Sequence, residues 1–178
     1  MVPTVLCDRV TLRAWRESDR EPFAAMNADS RVMEYFPATF TREQSDALVE
    51  RIVADWDQGF GLWALEERAS GVFLGFVGFY APRFVAHFTP AVEIGWRLSF
   101  DSWGRGYATE AATQALEWAR VHVNPPRGEI VSFTVTDNRR SRRVMEKLGF
   151  THRDEDDFDH PRVPDGPLRR HVLYRRAL

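Results

Sequence analysis

Gly104, Arg105 and Gly106 stand directly ahead of an alanine-patterned stretch, in Ser102-Trp-Gly-Arg-Gly-Tyr-Ala-Thr-Glu-Ala111. Ala108, Ala111, Ala112, Ala115 and Ala119 recur at helical spacing and give a small-residue face that lies close to a sheet. The glycine turn therefore sits at a helix N-terminus, where the first backbone N–H groups lack partners and the macrodipole is positive. Glycine lets the backbone approach a ligand and adopt positive φ. Such a turn suits a pyrophosphate, with Arg105 adding charge; the alternative is a plain glycine connection. It is not a P-loop, because no Gly-Lys-Ser/Thr follows. Nor does it match the dinucleotide fingerprint, which follows a first strand.

A second basic cluster, Asn138-Arg-Arg-Ser-Arg-Arg143, opens another helical stretch. Cations in a first helical turn oppose the dipole, and a bound anion would relieve that. The alternative is four solvated arginines, some paired with Glu146 or with the acids of 154–159. Asn138 also fits a plain helix cap. Along Val92-Glu-Ile-Gly-Trp-Arg-Leu98, Glu93 shares one strand face with Gly95 and Arg97, opposite Val92, Ile94 and Trp96. Gly95 marks either a bulge or room for a bulky neighbour such as Trp96.

The elements that must position these residues follow from periodicity and punctuation. Strands are predicted over about 4–16, 61–67, 72–80, 91–98, 129–135, from Phe150, and over 168–176. Helices are predicted from Ser18 or Asp19 to Met26, briefly over 31–35, and from a Thr41-to-Gln44 capping box to near Trp56, with Gly59 as the stop. Two more run to His122 and from Asp137 or Asn138 to Leu148, the last closed by Gly149. Helices around a mainly antiparallel sheet make an α+β fold of about seven strands. The strands at 91–98 and 129–135, joined through a helix, form a parallel crossover.

With 178 residues, 44% hydrophobic and 28% charged, the chain fits one globular domain, 1–178. A net charge of −2 argues against a dedicated nucleic-acid binder. No apolar run reaches the roughly 18 residues of a membrane helix, so no membrane partner is expected. The single cysteine, Cys7, together with no apolar leader, leads to the expectation of a reducing, cytoplasmic setting. Composition allows monomer or homodimer. His152, Asp157 and His160 lack the spacing of a metal motif, and no metal is expected.

Two segments, "VEIGWRLSFDSWGRGYATEA" and "TVTDNRRSRRVMEKLGF", resemble the GNAT superfamily of acyl-CoA-dependent N-acetyltransferases, and within it the ribosomal-protein N-terminal (alanine/serine) acetyltransferase-like branch. The family's phosphate loop reads Gln/Arg-x-x-Gly-x-Gly/Ala, places held here by Trp103, Gly106 and Ala108. The resemblance extends to Asn138, Ser141 and Lys147-Leu-Gly-Phe150. It implies the GNAT fold, with splayed central parallel strands and acetyl-CoA as co-substrate. The pantetheine would pair with backbone over Trp96, Arg97 and Leu98, and the pyrophosphate with N–H groups of Trp103, Gly104, Arg105, Gly106, Tyr107 and Ala108. Asn138, Ser141 and Arg143 would contact the rest of CoA.

Acetyl transfer needs a neutral amine. Glu93 is the candidate base, since a carboxylate in a partly apolar cleft can have its pKa raised and work through a water. The alternative pairs it with Arg97 or Arg83. Many members carry a tyrosine where this chain has Met145, which cannot donate a proton; either Ser141 is the substitute acid, directly or through a water, or the thiolate departs without a strong acid. Cys7 is read as a packed strand residue, since the family transfers directly from CoA. The Trp56, Phe60 and Trp63 region and Tyr35-Phe36-Pro37 either line the acceptor cleft or fill the core. The run 154–159 either draws a cationic amine or is a surface turn. The acceptor is read as a primary amine, foremost a protein N-terminus. A small-molecule amine and a non-catalytic acyl-CoA sensor are the rivals.

Overall fold

The computed structural model describes residues 1–178. In chain order the elements are β1 (Val5–Leu6), β2 (Val10–Arg13), α1 (Arg20–Ala28), α2 (Arg42–Asp55), β3 (Leu62–Glu67), β4 (Phe73–Tyr80), β5 (Val92–Leu98), α3 (Tyr107–His122), β6 (Glu129–Val135), α4 (Arg139–Lys147), β7 (Thr151–His152), β8 (Phe158–Asp159) and β9 (Arg170–Ala177). The strands form one sheet in the order β1-β2-β3-β4-β5-β6-β9-β7, and β8 pairs with β9. Every pairing is antiparallel except β5 with β6. No helix is long and apolar enough to cross a membrane.

Three local expectations need correction. The strand read over 4–16 is a hairpin, because the chain turns at Cys7, whose N–H donates to the Val10 carbonyl at 3.0 Å. Residues 31–35 form turns instead of a helix, fastened by the Asp29 side chain, which accepts from the Arg31 N–H and guanidinium. The segment read as an acidic loop contains β8, which brings the sheet to nine strands rather than about seven.

Alternation sorts the side chains onto two faces of the sheet. Val92, Ile94 and Leu98 of β5 join the main core, which includes Ala111, Ala112, Ala115 and Ala119 of α3 and Met145 of α4. Phe76 of β4 joins a second core with Phe23 and Met26 of α1 and Val49 and Ile52 of α2. So α3 and α4 cover one face, and α1 and α2 cover the other. The Thr41–Gln44 box forms as read: the Thr41 Oγ1 accepts from the Gln44 N–H at 3.3 Å, and the Gln44 side chain accepts from the Thr41 N–H at 2.9 Å.

The alanine stripe lets α3 approach the strands closely, and Ala115 is fully buried there. Added side-chain volume has nowhere to go in a close-packed interface. Ala115→Leu is expected to destabilise the fold by about 1–3 kcal/mol through overpacking. Urea denaturation checks this, and an unchanged midpoint would contradict the tight seating of α3.

Candidate functional site

The site begins where β5 and β6 part. They pair only at Val92–Ile130 and Glu93–Val131, whereas β5 stays in register with β4 up to Leu98 and β6 with β9 up to Val135. Just past the last pair, the Ser132 hydroxyl donates to the Ile94 carbonyl at 2.9 Å. Further on, the β6-facing edge of β5 has no strand partner. The Trp96 indole N–H instead reaches across to the Ser141 hydroxyl at 3.2 Å. The opening therefore has β5 on one side, and β6 with the start of α4 on the other.

The chain leaving β5 builds one rim of this opening. The Trp103 indole N–H donates back to the Leu98 carbonyl at 2.9 Å, and its ring lies 4.8 Å beneath the Arg140 guanidinium. Gly104 and Gly106 take φ of 75° and 82°, values that L side chains rarely adopt. Gly106 caps α3 without any side-chain cap. Arg9 fixes the turn from outside, donating to the Arg105 carbonyl at 2.9 Å and to the Glu110 carboxylate at 2.8 Å. The first N–H of this segment engaged by the protein belongs to Glu110, which donates to the Gly106 carbonyl at 3.0 Å. The six N–H groups from Gly104 to Thr109 meet no acceptor in the chain. Consecutive free amides at a helix N-terminus form an anion cradle.

Glu93 faces away from Trp96, on the α1–α2 side of the sheet. Its residue is only 3% exposed, and its Oε2 is buried without a hydrogen-bond partner. Burial drives its pKa well above the ordinary carboxylate range, and the Tyr80 hydroxyl opposes that shift. Neither arginine considered as its partner is one: Arg83 pairs with Asp55, and Arg97 donates to the Asn27 Oδ1 at 2.7 Å. Arg97 also lies 4.2 Å from the Phe36 ring centroid and 5.5 Å from that of Phe76. Burial lowers its pKa to about 10. Fully buried Asn27 donates in turn to the Ser45 hydroxyl at 2.9 Å, so one polar chain ties α1, α2 and β5 together.

The sequence-predicted residues divide accordingly. Trp96, Leu98, Trp103, Gly104, Arg105, Gly106, Ala108 and Ser141 lie along the opening or its rims, while Arg143 is exposed two residues further along α4. Arg97 and Tyr107 offer only backbone there: the Arg97 side chain is on the opposite face, and the buried Tyr107 donates to Glu67. Asn138 acts as the helix cap, accepting from the Ser141 N–H at 3.2 Å while its amide donates to the Thr134 hydroxyl at 2.9 Å. Of the four helix arginines, Arg142 is spent on Tyr174 and the Thr136 carbonyl. Glu93 and Ser141 are not brought together; they flank β5 from its two faces.

Other expectations resolve toward packing. No bulge occurs at Gly95, whose register with β4 is unbroken. A Cβ there would meet the Tyr80 ring at 3.1 Å, so the room is for Tyr80 across the ladder and not for Trp96. Trp56 and Trp63 pack with Trp118 of α3, away from Glu93. Phe36 does reach the Glu93 side, and the Tyr35 hydroxyl donates to the Asp137 carbonyl at 3.3 Å, strapping the 29–40 segment across the mouth of the opening. Met145 is buried in the main core. Cys7 is buried and its thiol is pushed up to about 11 by burial, a poor nucleophile. Within 154–159, Asp156 binds Arg175 and Asp157 binds His152. Tyr80 and Asn27 were missed, since only cross-strand register and tertiary packing bring them to the site.

The raised Glu93 pKa has a consequence for stability. An unfolded glutamate titrates near about 4.3; above that pH the unfolded chain gives up a proton that the folded chain keeps, so stability falls as pH rises toward the folded value. Glu93→Gln escapes this loss. Its stability relative to wild type is expected to be larger at pH 8 than at pH 4, growing by up to about 1.4 kcal/mol per pH unit inside the window. Equal differences at both pH values, read by urea denaturation, would contradict the burial of an unpartnered carboxyl.

Comparison with known proteins agrees with this arrangement. Residues 9–151 match the family model described as an acetyltransferase (GNAT) domain. The chain is 27% identical over 153 residues to the uncharacterized N-acetyltransferase YoaA of Bacillus subtilis, covering 84% of each. It is 30% identical over 159 residues to the FsC-acetyl coenzyme A-N(2)-transacetylase of Aspergillus fumigatus, covering 84% of this chain and 66% of that one. An acetyltransferase structure from Agrobacterium tumefaciens superposes with a TM-score of 0.79 at 26% identity, over 100% of this chain and 96% of that one. With most of its length matched, the chain belongs to the GNAT acetyltransferase family and is an N-acetyltransferase.

Proposed function

We propose that residues 1–178 act as one domain that transfers the acetyl group of acetyl-CoA directly to a primary amine, with a protein N-terminal α-amine as acceptor. The observation that carries this reading is the row of six free N–H groups from Gly104 to Thr109 beside the parted strands. That cradle fits a pyrophosphate, and the unpaired edge of β5 over Trp96, Arg97 and Leu98 fits an amide-bearing chain such as pantetheine. Arg143 and the exposed Arg139 are free to meet a further phosphate. Acetyl-CoA supplies the acetyl group as a thioester, already activated for attack.

Glu93 supplies the proton acceptor. An α-amine titrates at about 7.7–8.0, against about 10.4 for a lysine amine, and so asks less of the base. A carboxylate whose pKa is raised by burial takes up that proton more readily than an ordinary one. The amine lone pair forms the C–N bond, the C–S pair leaves on sulfur, and the proton shed by nitrogen passes to Glu93. The departing thiolate is served by the Ser141 hydroxyl, which accepts from Trp96 and keeps its own proton to donate. A free β5 N–H polarises the carbonyl oxygen. The Aspergillus fumigatus relative, named for N(2) transacetylation with FsC, favours a second reading in which the acceptor is a small-molecule amine.

Thiol release from acetyl-CoA, measured against free-N-terminus peptides and a set of small amines, separates the two readings. Turnover with peptides is expected. Turnover confined to small amines would overturn the protein acceptor, and none with either would overturn the proposal. In calorimetry, Gly106→Glu is expected to abolish CoA binding, because a side chain at this positive φ forces the turn out of shape and adds negative charge beside it; wild-type affinity would contradict that role. The acidic limb of kcat/KM against pH is expected to lie well above the ordinary glutamate range and to vanish in Glu93→Gln.

A further inference from the structure

Of the four tyrosines, three have their hydroxyls engaged: Tyr35 with the Asp137 carbonyl, Tyr107 with Glu67, and Tyr174 with Arg142 and Glu146. Tyr80 has Glu93 as its polar neighbour instead. It is the last residue of β4 and the cross-strand partner of Glu93, on the same face of the sheet. Its ring extends over Gly95, with the hydroxyl oxygen 3.9 Å from the position a Gly95 Cβ would take. Gly95 lies two residues beyond the last β5–β6 pair, so this hydroxyl stands where the strands have begun to part. Tyr80 is partly exposed, whereas the Glu93 Oε2 beneath it is buried and partnerless. The Tyr80 hydroxyl is close enough to Glu93 to interact with its carboxyl, while the Glu93 Oε2 keeps no partner.

The partnerless Glu93 Oε2 and the lone pairs of the neighbouring Tyr80 hydroxyl leave acceptor capacity for a third group between them. A buried polar atom without a partner is costly, and native sites that keep one generally use it. We infer that Tyr80 is a catalytic residue, its hydroxyl oxygen accepting one N–H of the acceptor amine while the Glu93 carboxylate accepts the other. A neutral primary amine has two N–H groups and one lone pair. With both N–H groups held, the lone pair is left to point at the thioester carbon, and rotation about the C–N axis of the amine is stopped. This inference rests on Glu93 as the base and adds to it a selection for primary over secondary amines. It also accounts for Gly95, since any side chain there would push the Tyr80 ring off the site.

Tyr80→Phe removes one oxygen whose polar neighbour in the protein is Glu93, so the fold is expected to keep its melting temperature to within a few degrees. Steady-state kinetics would use a short peptide with a free N-terminal alanine and the same peptide N-methylated there. If the panel selects a small amine, that amine and its N-methyl derivative replace them. Tyr80→Phe is expected to lower kcat/KM for the primary amine about 10- to 100-fold, leave the KM for acetyl-CoA within about twofold, and shrink the preference for primary over N-methyl acceptor. Unchanged acceptor kinetics would overturn the proposal. So would an equal loss for both acceptors, or a shift in the acetyl-CoA KM, which would make Tyr80 a packing residue. If Glu93→Gln keeps the wild-type rate and pH profile, the base assignment itself has failed. If Glu93→Gln loses the acidic limb and Tyr80→Phe is silent, only the Tyr80 role has failed.

Discussion

β5 and β6 touch at two register positions, and the site is organised around how briefly they do so. Ladder hydrogen bonds are given up beyond Glu93, which is tolerable only where other groups stand in. The Ser132 hydroxyl takes the Ile94 carbonyl, and the Trp96 indole crosses to Ser141, holding the strands apart at a fixed width. Because the strands are parallel, the chain must cross over between them, and α3 is that crossover. Its N-terminus consequently falls at the carboxyl end of β5, where α/β sheets bind ligands. Opening and cradle are thus two results of one connection. The glycines at 104 and 106 supply the positive φ of the turn that leaves six amides free.

The two faces of β5 divide the work. Trp96 and the α3 rim belong to the face that meets α4. Glu93, Gly95 and Arg97 belong to the face that meets α1 and α2. Arg97 is held by Asn27 and by the rings of Phe36 and Phe76, so its charge serves architecture: it fastens the 29–40 segment and both early helices to β5. Glu93 has no such partner. Its ionised form is disfavoured by burial, which raises its affinity for a proton, the property that the proposed base role uses. A carboxylate neutralised by Arg97 would be more stable and a weaker base.

The sequence made the cradle legible because its signals are local. A glycine pair, an alanine stripe of helical period and a strand just before them lie within about thirty residues, and each constrains backbone geometry directly. Alternation along 92–98 placed Glu93 on a face, although not what it would meet there. Tyr80 was invisible for a physical reason: its neighbour is fixed by β4–β5 register, and a one-residue slip would have sent it to the other face. The alternatives at Arg97 and Asn138 stayed open in the sequence because polar side chains choose among partners that only folding supplies. Trp56 and Trp63 were equally ambiguous, since an aromatic residue in a strand or at a helix end packs against whichever helix the topology puts above it.

The most direct test of a substrate held between parted strands is backbone amide NMR during titration with CoA. The N–H resonances of Gly104 to Thr109 and of the free β5 edge from Gly95 to Leu98 are expected to shift together and saturate at one stoichiometry, while those of α2 stay fixed. Saturable binding that leaves the 104–109 amides unmoved would contradict the cradle, and with it the placement of the reaction beside Glu93.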